Sequence, residues 1–190
     1  MPLFDTSEII ITNPQNIPSL PSNAEYGTSG NDYITLSQPK LVFAGAGNDI
    51  VFGSTGADTV YGGLGDDIIV GGAGDDKLYG DSGNDRLYAG TGSDSMYGGA
   101  GNDRLYVDPN DNTGALVDLA NGGSGIDTLV ITNATAGSLR LFSVEGIAGA
   151  IVHWTETVGG QTIAQSITVE GVEFVEFNGA AIALQNIQPY

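Results

Sequence analysis

The sequence contains no cysteine, one histidine and one tryptophan, and its five lysines and arginines face 23 acidic residues. The absence of cysteine excludes a disulfide framework, and one histidine cannot build the nitrogen-rich or sulfur-rich centres that zinc and copper favour. A formal net charge of −18 excludes the basic face that nucleic-acid binding requires, and it disfavours binding to an anionic membrane. No apolar run is long enough to span a membrane, and no G-x-S-x-G or H-E-x-x-H motif occurs. We therefore expect a protein that is not an enzyme and has no transmembrane segment.

What the sequence does contain is a nine-residue repeat between Gly27 and Tyr106, glycine-glycine-x-glycine-x-aspartate-x-aliphatic-x, whose positions we number as slots 1 to 9. The clearest copies are GGLGDDIIV from Gly62, GGAGDDKLY from Gly71 and GGAGNDRLY from Gly98. Slot 6 is aspartate in eight copies, Asp32, Asp49, Asp58, Asp67, Asp76, Asp85, Asp94 and Asp103. A fixed period of this kind predicts a solenoid.

Two further units depart from this series. Residues 36–43 keep the aliphatic slot at Val42, but Ser37 and Lys40 replace the expected turn chemistry, so we expect an empty or weak cation position there. After a fifteen-residue interruption, GGSGIDTLV recovers the whole motif and places Asp127 in slot 6. Within the interruption, DPNDNTG resembles the start of an EF-hand loop but lacks the glycine and glutamate of that motif. We interpret it as a polar loop.

The repeat length sets the predicted geometry. Nine residues suit a six-residue turn followed by a three-residue strand with an inward aliphatic residue, and two such units form one coil of eighteen residues. Strands of successive coils would stack in parallel about 4.8 Å apart, so each aspartate lies one coil from another, as for Asp67 and Asp85. Such carboxylates repel each other by roughly several kcal/mol. Calcium, with about six to eight oxygen ligands, offsets this repulsion, whereas magnesium prefers a smaller octahedron and keeps its waters.

An alternative interpretation is that these aspartates cap the turns by accepting backbone N–H groups, as Asx residues commonly do. Eight aspartates in one register favour calcium over this alternative. The charge points the same way, because a chain at −18 repels itself when it becomes compact.

The eight copies resemble the repeats-in-toxin (RTX) nonapeptide, which is the hemolysin-type calcium-binding repeat. The resemblance covers about the middle 80 residues. It implies an all-β fold, a right-handed parallel β-roll with calcium between successive turns. It also implies folding on calcium binding outside the cell, after export by a type I ABC transporter that reads an uncleaved C-terminal signal.

Carried over residue by residue, the family pattern implies two columns of calcium-binding turns with about six ions. The column with four ions contains Asp32, Asp49, Asp67, Asp85 and Asp103. The column with two ions contains Asp58, Asp76 and Asp94, and Asp127 is an additional candidate ligand. The implied carbonyl ligands come from the glycines of slots 2 and 4, namely Gly30, Gly45, Gly47, Gly56, Gly63, Gly65, Gly72, Gly74, Gly83, Gly90, Gly92, Gly99 and Gly101.

Aromatic residues recur in slot 9 and are spaced to form ladders along the coils. On one face they are Phe43, Tyr61, Tyr79 and Tyr97, and on the opposite face Tyr88 and Tyr106 lie beside Arg86 and Arg104. One interpretation is a partner-binding strip for a cell-surface polysaccharide or surface layer, because aromatics flanked by arginine stack on sugars. We favour the other interpretation, in which aromatic residues suit an exposed β-surface and support their cross-strand neighbours.

The composition divides the chain into three segments. Residues 1–25 contain four prolines and one short β-like run, show no signal-peptide pattern, and are expected to form an extended N-terminal cap. Residues 26–106 form the predicted roll. Residues 107–190 contain longer alternating runs and are expected to form a β-rich cap with the export signal at the end, because an open solenoid exposes unpaired edges. Gly-Gly at 159–160 and Glu-Gly at 170–171 predict hairpins.

Together these features predict a secreted, non-catalytic calcium-binding protein with a surface-layer, matrix or adhesive role. The alternative is a calcium-dependent C-terminal secretion and folding module of a larger exported enzyme of the protease, lipase or alginate epimerase type. Met1 and the short acidic start are interpreted as a natural beginning, which favours the first function. We interpret His153 beside Trp154 as an ordinary strand residue, because no second histidine or cysteine could complete a catalytic site.

Overall fold

The computed structural model describes residues 24–107, 118–132, 140–143, 150–158, 161–177 and 179–183. The segment 1–23, the loop 108–117 with its EF-hand-like start, and residues 184–190 at the end of the predicted export signal lie outside the described residues. Every regular element in the described ranges is a β-strand. None of these residues belongs to a helix that could cross a membrane. The predicted all-β class is confirmed.

The strands are numbered in chain order. The first ten are β1 (Ala24–Tyr26), β2 (Tyr33–Thr35), β3 (Leu41–Ala46), β4 (Ile50–Phe52), β5 (Thr59–Leu64), β6 (Ile68–Ala73), β7 (Lys77–Ser82), β8 (Arg86–Thr91), β9 (Ser95–Ala100) and β10 (Arg104–Val107). They are followed by β11 (Asp118–Ser124), β12 (Thr128–Ile131), β13 (Arg140–Ser143), β14 (Ala150–Val158), β15 (Gln161–Glu170), β16 (Phe174–Phe177) and β17 (Ala180–Ala183).

Consecutive strands of the repeat alternate between two sheets. The first sheet has the order β1-β3-β5-β7-β9-β11-β15-β14-β13, and the second has the order β17-β16-β12-β10-β8-β6-β4-β2. From β1 to β15 and from β2 to β16 all neighbours are parallel. Each sheet therefore contains seven parallel strands. This architecture confirms the predicted parallel β-roll.

The aliphatic residues of slot 8 form the core between the two sheets. Each lies opposite the same slot of the next coil, as Val60 lies opposite Leu78. They are all fully buried: Val42, Val60, Leu78, Met96 and Ala120 in the first sheet, and Val51, Ile69, Leu87, Leu105 and Leu129 in the second. Burying one such large aliphatic side chain stabilises a fold by about 1.5–3 kcal/mol. The two rows make one continuous apolar column along the roll.

The predicted division into a six-residue turn and a three-residue strand is wrong for the central coils. Strands β5 to β9 each have six residues and run from slot 7 through slot 3 of the next unit. Gly63 pairs with both Gly45 and Asp81, and the Gly65 N–H donates to the Ser82 carbonyl over 2.8 Å. Slots 1 to 3 therefore stay in the hydrogen-bond ladder, although the glycine in slot 2 has a positive φ, and the strand ends before slots 4 to 6.

The parallel stacks continue past Tyr106, where the sequence placed the end of the roll. Strand β11 lies on β9 and β12 on β10, and then β15 lies on β11 and β16 on β12. Strands β13, β14 and β17 add antiparallel pairs at this end. His153 and Trp154 lie in β14, and their side chains are outside the described residues.

The antiparallel pairing of β14 with β15 confirms the predicted hairpin across 159–160. The predicted hairpin across 170–171 is wrong, because β15 and β16 belong to different sheets. The short link between them passes from one sheet to the other, as the bends of the repeat do. A Glu-Gly pair therefore marks a corner of the roll here.

Candidate metal centre

The slot 6 aspartates form two columns of hydrogen bonds along the roll. The N–H of each aspartate donates to Oδ1 of the aspartate one coil further on, as from Asp67 to Asp85 over 2.8 Å. This bond links successive members of Asp32, Asp49, Asp67, Asp85, Asp103 and Asp127 in one column, and of Asp58, Asp76 and Asp94 in the other. One carboxylate oxygen thus accepts a backbone N–H, as the capping alternative required, but across coils instead of within its own turn.

The second oxygen of most of these carboxylates has no donor. Oδ2 is buried without a hydrogen-bond partner in Asp49, Asp67, Asp76, Asp85, Asp103 and Asp127. Each of these side chains is at most 1% exposed. Leaving a buried acceptor unsatisfied costs about 1–3 kcal/mol, and more when the group is charged. Each of these oxygens therefore requires a cation or a proton.

The slot 1 glycine brings a carbonyl oxygen into the same space. A Cβ atom on Gly62 would collide with both Asp67 Oδ2 and the carbonyl oxygen of Gly80, which belongs to the next coil. The same juxtaposition recurs at Gly27, Gly71, Gly80, Gly98 and Gly122, beside Asp32, Asp76, Asp85, Asp103 and Asp127. Two acceptors therefore approach one another where a Cβ in slot 1 would lie, and the turns of Asp49 and Asp94 differ in having Ala44 and Ala89 in this slot. Slot 1 was not among the predicted carbonyl positions, although the Gly-Gly doublet pointed to it.

Slots 2 and 4 set the shape of the bend. In the turns of these aspartates both slots have positive φ, for example 110° at Gly63 and 119° at Gly65. Asp81 adopts a φ of 70° in slot 2 of its turn, which is unusual for a residue with a side chain. A Cβ on Gly65 would collide with the Gly47 carbonyl, so slot 4 carbonyls point along the stack. The predicted slot 2 and slot 4 ligands lie in these bends, and their role as ligands stays a prediction.

The pKa values of the buried carboxylates show the cost of burying their charge. Burial raises the pKa of Asp67, Asp76 and Asp103 to about 6 and that of Asp85 to about 7, although the backbone hydrogen bond to each lowers it. Neighbouring carboxylates raise these pKa values further, as Asp49 does for Asp67. The fold therefore penalises the charged form of these four aspartates unless positive charge is supplied.

The donor set fits a hard cation. The atoms that converge in each bend are carboxylate and carbonyl oxygens, which suit calcium, and no nitrogen or sulfur ligand takes part in this juxtaposition. Within the described ranges, no three His, Cys, Asp or Glu side chains lie together as a metal cluster. One carboxylate per bend thus needs several carbonyl oxygens to complete a shell of about six to eight ligands, and calcium accepts such a mixed shell.

An acidic residue outside the motif continues the first column of hydrogen bonds, and the backbone register brings another to the end of the second. Glu173 follows Asp127 in the first column, and its Oε2 accepts the Asp127 N–H over 2.7 Å. The register of β11 with β9 places Asp118 at slot 6 of the second column. Neither was among the predicted ligands. The sequence did offer a signal for both, because each stands two positions before a buried apolar residue. Glu173 precedes Val175 in this way, and Asp118 precedes Ala120.

The degenerate unit keeps the backbone connection without the carboxylate. Lys40 stands at slot 6, its N–H donates to Asp58 Oδ1 over 2.6 Å, and its Nζ pairs with Glu25 over 2.6 Å. The slot 6 side chain of this unit therefore offers no oxygen, and its ammonium group is paired with Glu25.

The aromatic residues form the predicted ladders. The rings of Tyr26, Phe43, Tyr61, Tyr79 and Tyr97 stack with centroids 4.5 to 5.5 Å apart, and Tyr88 stacks on Tyr106 at 4.3 Å. Each inner ring has both faces covered by its neighbours, so a sugar ring has no free face to stack on. This geometry favours mutual support of neighbouring strands, and the partner-binding strip stays a prediction.

Arg104 is also engaged within the roll. Its Nε donates to the Tyr106 hydroxyl over 2.9 Å, and its guanidinium pairs with Glu176 over 2.6 Å. These contacts join β10 to β16 across the second sheet and leave Arg104 less available to an external partner.

The family model of the RTX calcium-binding nonapeptide repeat, which spans four copies, matches the chain over residues 43–78 and again over 79–114. No curated protein gives a match to the chain. Among solved structures, the chain is similar to the solution structure of the AlgE6R3 subunit from the Azotobacter vinelandii mannuronan C5-epimerase. The sequence identity is 21% and the TM-score 0.32, with 76% of this chain and 73% of that chain covered. The two family-model matches fall on the coils that carry Asp49 to Asp103, and over residues 43–114 the chain therefore consists of RTX calcium-binding nonapeptide repeats.

Proposed function

We propose that this chain is a calcium-dependent structural protein in which ions held in the bends complete the fold. The observation that carries the proposal is the set of buried Oδ2 oxygens without donors, which in Asp67, Asp76, Asp85, Asp103 and Asp127 lie beside a carbonyl oxygen of the next coil. At neutral pH these carboxylates oppose folding unless positive charge is added. Because the bends that gather the oxygens exist only in the stacked coils, ion binding supplies folding energy.

The proposed ligands of each ion are one slot 6 carboxylate and carbonyl oxygens of the bends. About six ions are proposed, at the turns of Asp49, Asp67, Asp76, Asp85, Asp103 and Asp127. Asp94 remains a predicted ligand through its place in the second column. An ion at the turn of Asp94 would bring the number to seven, whereas the family pattern implied about six ions without counting Asp127.

The proposed place of action is outside the cell, after export by a type I ABC transporter. One carboxylate per bend suits the weak calcium affinity of extracellular modules, with a Kd of about 10⁻⁴–10⁻³ M. The absence of cysteine is compatible with secretion. Expression with and without a type I transporter should place the chain in the medium only when the transporter is present. Equal amounts in both media would refute this route.

The proposed role is non-catalytic, as a component of a surface layer, matrix or adhesive. We assign the roll to the parallel strands through β15 and β16, and the C-terminal cap to β13, β14 and β17, which change the pairing to antiparallel. The N-terminal cap predicted for residues 1–25 is proposed for the segment before β1, since Ala24 and Glu25 belong to the first parallel strand. Such caps cover sheet edges that would otherwise pair with other chains.

Circular dichroism tests the central proposal. Protein in EGTA should be largely unfolded at neutral pH, and millimolar calcium should restore the β-sheet spectrum. Magnesium at the same concentration is the matched control, and it should restore little, because it keeps its waters in preference to a shell of carbonyl oxygens. A fully folded protein in EGTA, or equal effects of the two ions, would refute calcium-dependent folding.

A further inference from the structure

Two turns, residues 27–32 and 53–58, differ in sequence and in backbone conformation from the other turns that end at a slot 6 aspartate. Their slot 2 residues are Thr28 and Ser54, where the other turns have glycine or Asp81. Slots 2 and 4 have positive φ in the turns that end at Asp49, Asp67, Asp76, Asp85, Asp94, Asp103 and Asp127. Neither slot has positive φ in these two turns. The difference therefore lies in the backbone as well as in one side chain.

In turn 53–58, the Ser54 hydroxyl lies at the centre of the bend. It donates to Asp58 Oδ2 over 2.9 Å and lies 3.2 Å from the Gly56 carbonyl oxygen, while it accepts the Gly56 N–H over 3.2 Å. The Ser54 N–H also donates to Asp58 Oδ2, over 2.7 Å. Since the Lys40 N–H donates to Oδ1, both oxygens of this buried carboxylate have donors.

Turn 27–32 repeats the arrangement. The Thr28 hydroxyl lies 2.9 Å from Asp32 Oδ2 and 3.4 Å from the Gly30 carbonyl oxygen, and it accepts the Gly30 N–H over 3.1 Å. The Thr28 N–H donates to Asp32 Oδ2 over 2.6 Å. In both turns the hydroxyl thus touches the two kinds of oxygen, slot 6 carboxylate and slot 4 carbonyl, that a cation would bind.

The contrast with a glycine turn shows what the hydroxyl does. Asp67 has Gly63 in slot 2 with a φ of 110°, and no hydroxyl or slot 2 N–H reaches its Oδ2, which is buried without a partner. We propose that a hydroxyl in slot 2 takes the place of calcium, so that Asp32 and Asp58 hold no ion and each described column begins with a cation-free bend. This inference rests on the proposed function, and it withdraws Gly30 and Gly56 as carbonyl ligands.

The number of bound calcium ions tests this inference. Equilibrium dialysis with radioactive calcium should give the same number of ions for Asp58→Asn as for the wild type, and one fewer for Asp67→Asn. Both substitutions remove one charge from a buried slot 6 carboxylate, so they are a matched pair. Ser54→Gly converts the turn to the glycine pattern and should add one ion, whereas Thr55→Ala, at an exposed neighbour, should add none.

Circular dichroism in calcium establishes that each variant is folded before its ions are counted. The loss of one ion in Asp58→Asn, or an unchanged count in Ser54→Gly, would overturn the hydroxyl inference while leaving calcium-dependent folding in place. A wild-type protein that binds no calcium would overturn the proposed function itself. If Asp58→Asn does not fold, the ion count of Ser54→Gly alone decides the hydroxyl inference.

Discussion

The aliphatic column and the aspartate columns run through the same coils with the same period, yet they act on the fold in opposite ways. Leu78 and Asp76 are two residues apart, and both side chains are buried. Burial of Leu78 stabilises the roll without any partner from outside. Burial of Asp76 leaves Oδ2 without a donor and raises its pKa to about 6. The comparison shows that burial stabilises only a group whose bonding needs are met in the buried place.

The aliphatic column and the aspartate columns also differ in what they require of the solution. The aliphatic column needs only water to be excluded, so it favours the roll in any buffer. The aspartate columns favour the roll only when a cation is present, and oppose it when the cation is removed. The same stack of coils can thus be stable or unstable according to the calcium concentration, and four experiments separate the two contributions.

The largest effect is expected from the double substitution Asp67→Asn and Asp85→Asn. With calcium at about 100 times Kd, each ion contributes about 2.7 kcal/mol, so the loss of two should lower the free energy of unfolding by about 5 kcal/mol. In EGTA the same variant should be more folded than the wild type, because two buried charges are gone. Urea unfolding in both buffers measures this reversal. Destabilisation of equal size in EGTA would break the distinction between the columns.

Leu78→Ala should reduce the stabilisation that the aliphatic column provides. Removing a fully buried leucine typically lowers the free energy of unfolding by about 2–5 kcal/mol, through lost burial and the cavity left behind. The number of calcium ions in the folded variant should not change, since Leu78 offers no oxygen to the bends. Urea unfolding at saturating calcium, with ions counted by equilibrium dialysis, measures both quantities. A reduced ion count would show that the columns are not independent.

Acid should partly replace calcium. In the roll the pKa values of Asp67, Asp76 and Asp103 are raised to about 6 and that of Asp85 to about 7, above the ordinary value of 3.8 that the unfolded chain keeps. The folded state therefore binds protons more tightly, and its stability in EGTA should rise as the pH falls from about 8 to about 5.

In calcium the direction should reverse, because protons compete for the same carboxylates. Circular dichroism across this pH range, in EGTA and in calcium, measures both trends. A loss of structure on acidification in EGTA would contradict the assignment of the destabilising charge to the buried aspartates.

The smallest effect is expected on the exposed face of the sheet. Tyr79 stacks between Tyr61 and Tyr97 at 4.5 and 4.8 Å, and aromatic pairs contribute about 0.5–1.5 kcal/mol each beyond their burial. Tyr79→Leu should therefore lower stability slightly and leave calcium uptake unchanged. Polysaccharide pull-down should not distinguish it from the wild type. Loss of polysaccharide binding in this variant alone would restore the partner-binding interpretation.

Much of the roll was predictable because it depends on neighbours at fixed spacing. The aliphatic residue in slot 8 and the aspartate in slot 6 are readable from Gly62 to Tyr106, and eighteen residues per coil bring Asp67 to Asp85 and Tyr61 to Tyr79. The strand length was less predictable, since glycine is compatible with both a turn and an extended strand. The structure shows that slots 1 to 3 remain in the ladder.

The positions that escaped prediction lie where the period is interrupted. Glu173 continues the first column, and the backbone of Asp118 reaches slot 6 of the second, only because β16 and β11 return to the sheets after long insertions, and no local pattern fixes that return. The different role of Ser54 also escaped, because a small polar residue in slot 2 looks like a tolerated variant of glycine. Only the distances from its hydroxyl to Asp58 Oδ2 and to the Gly56 carbonyl oxygen show that it contacts both.

The sequence by itself determined the period, the apolar column, the two aspartate columns and the choice of calcium over softer metals, because these depend on residue type and spacing alone. The tertiary structure decided which carboxylate oxygens have donors, which carbonyl oxygens lie beside them, and that ring faces are covered by other rings. The physical reason is that hydrogen-bond satisfaction is a property of atoms within about 3 Å, and such distances are set by the stacking of coils far apart in the chain.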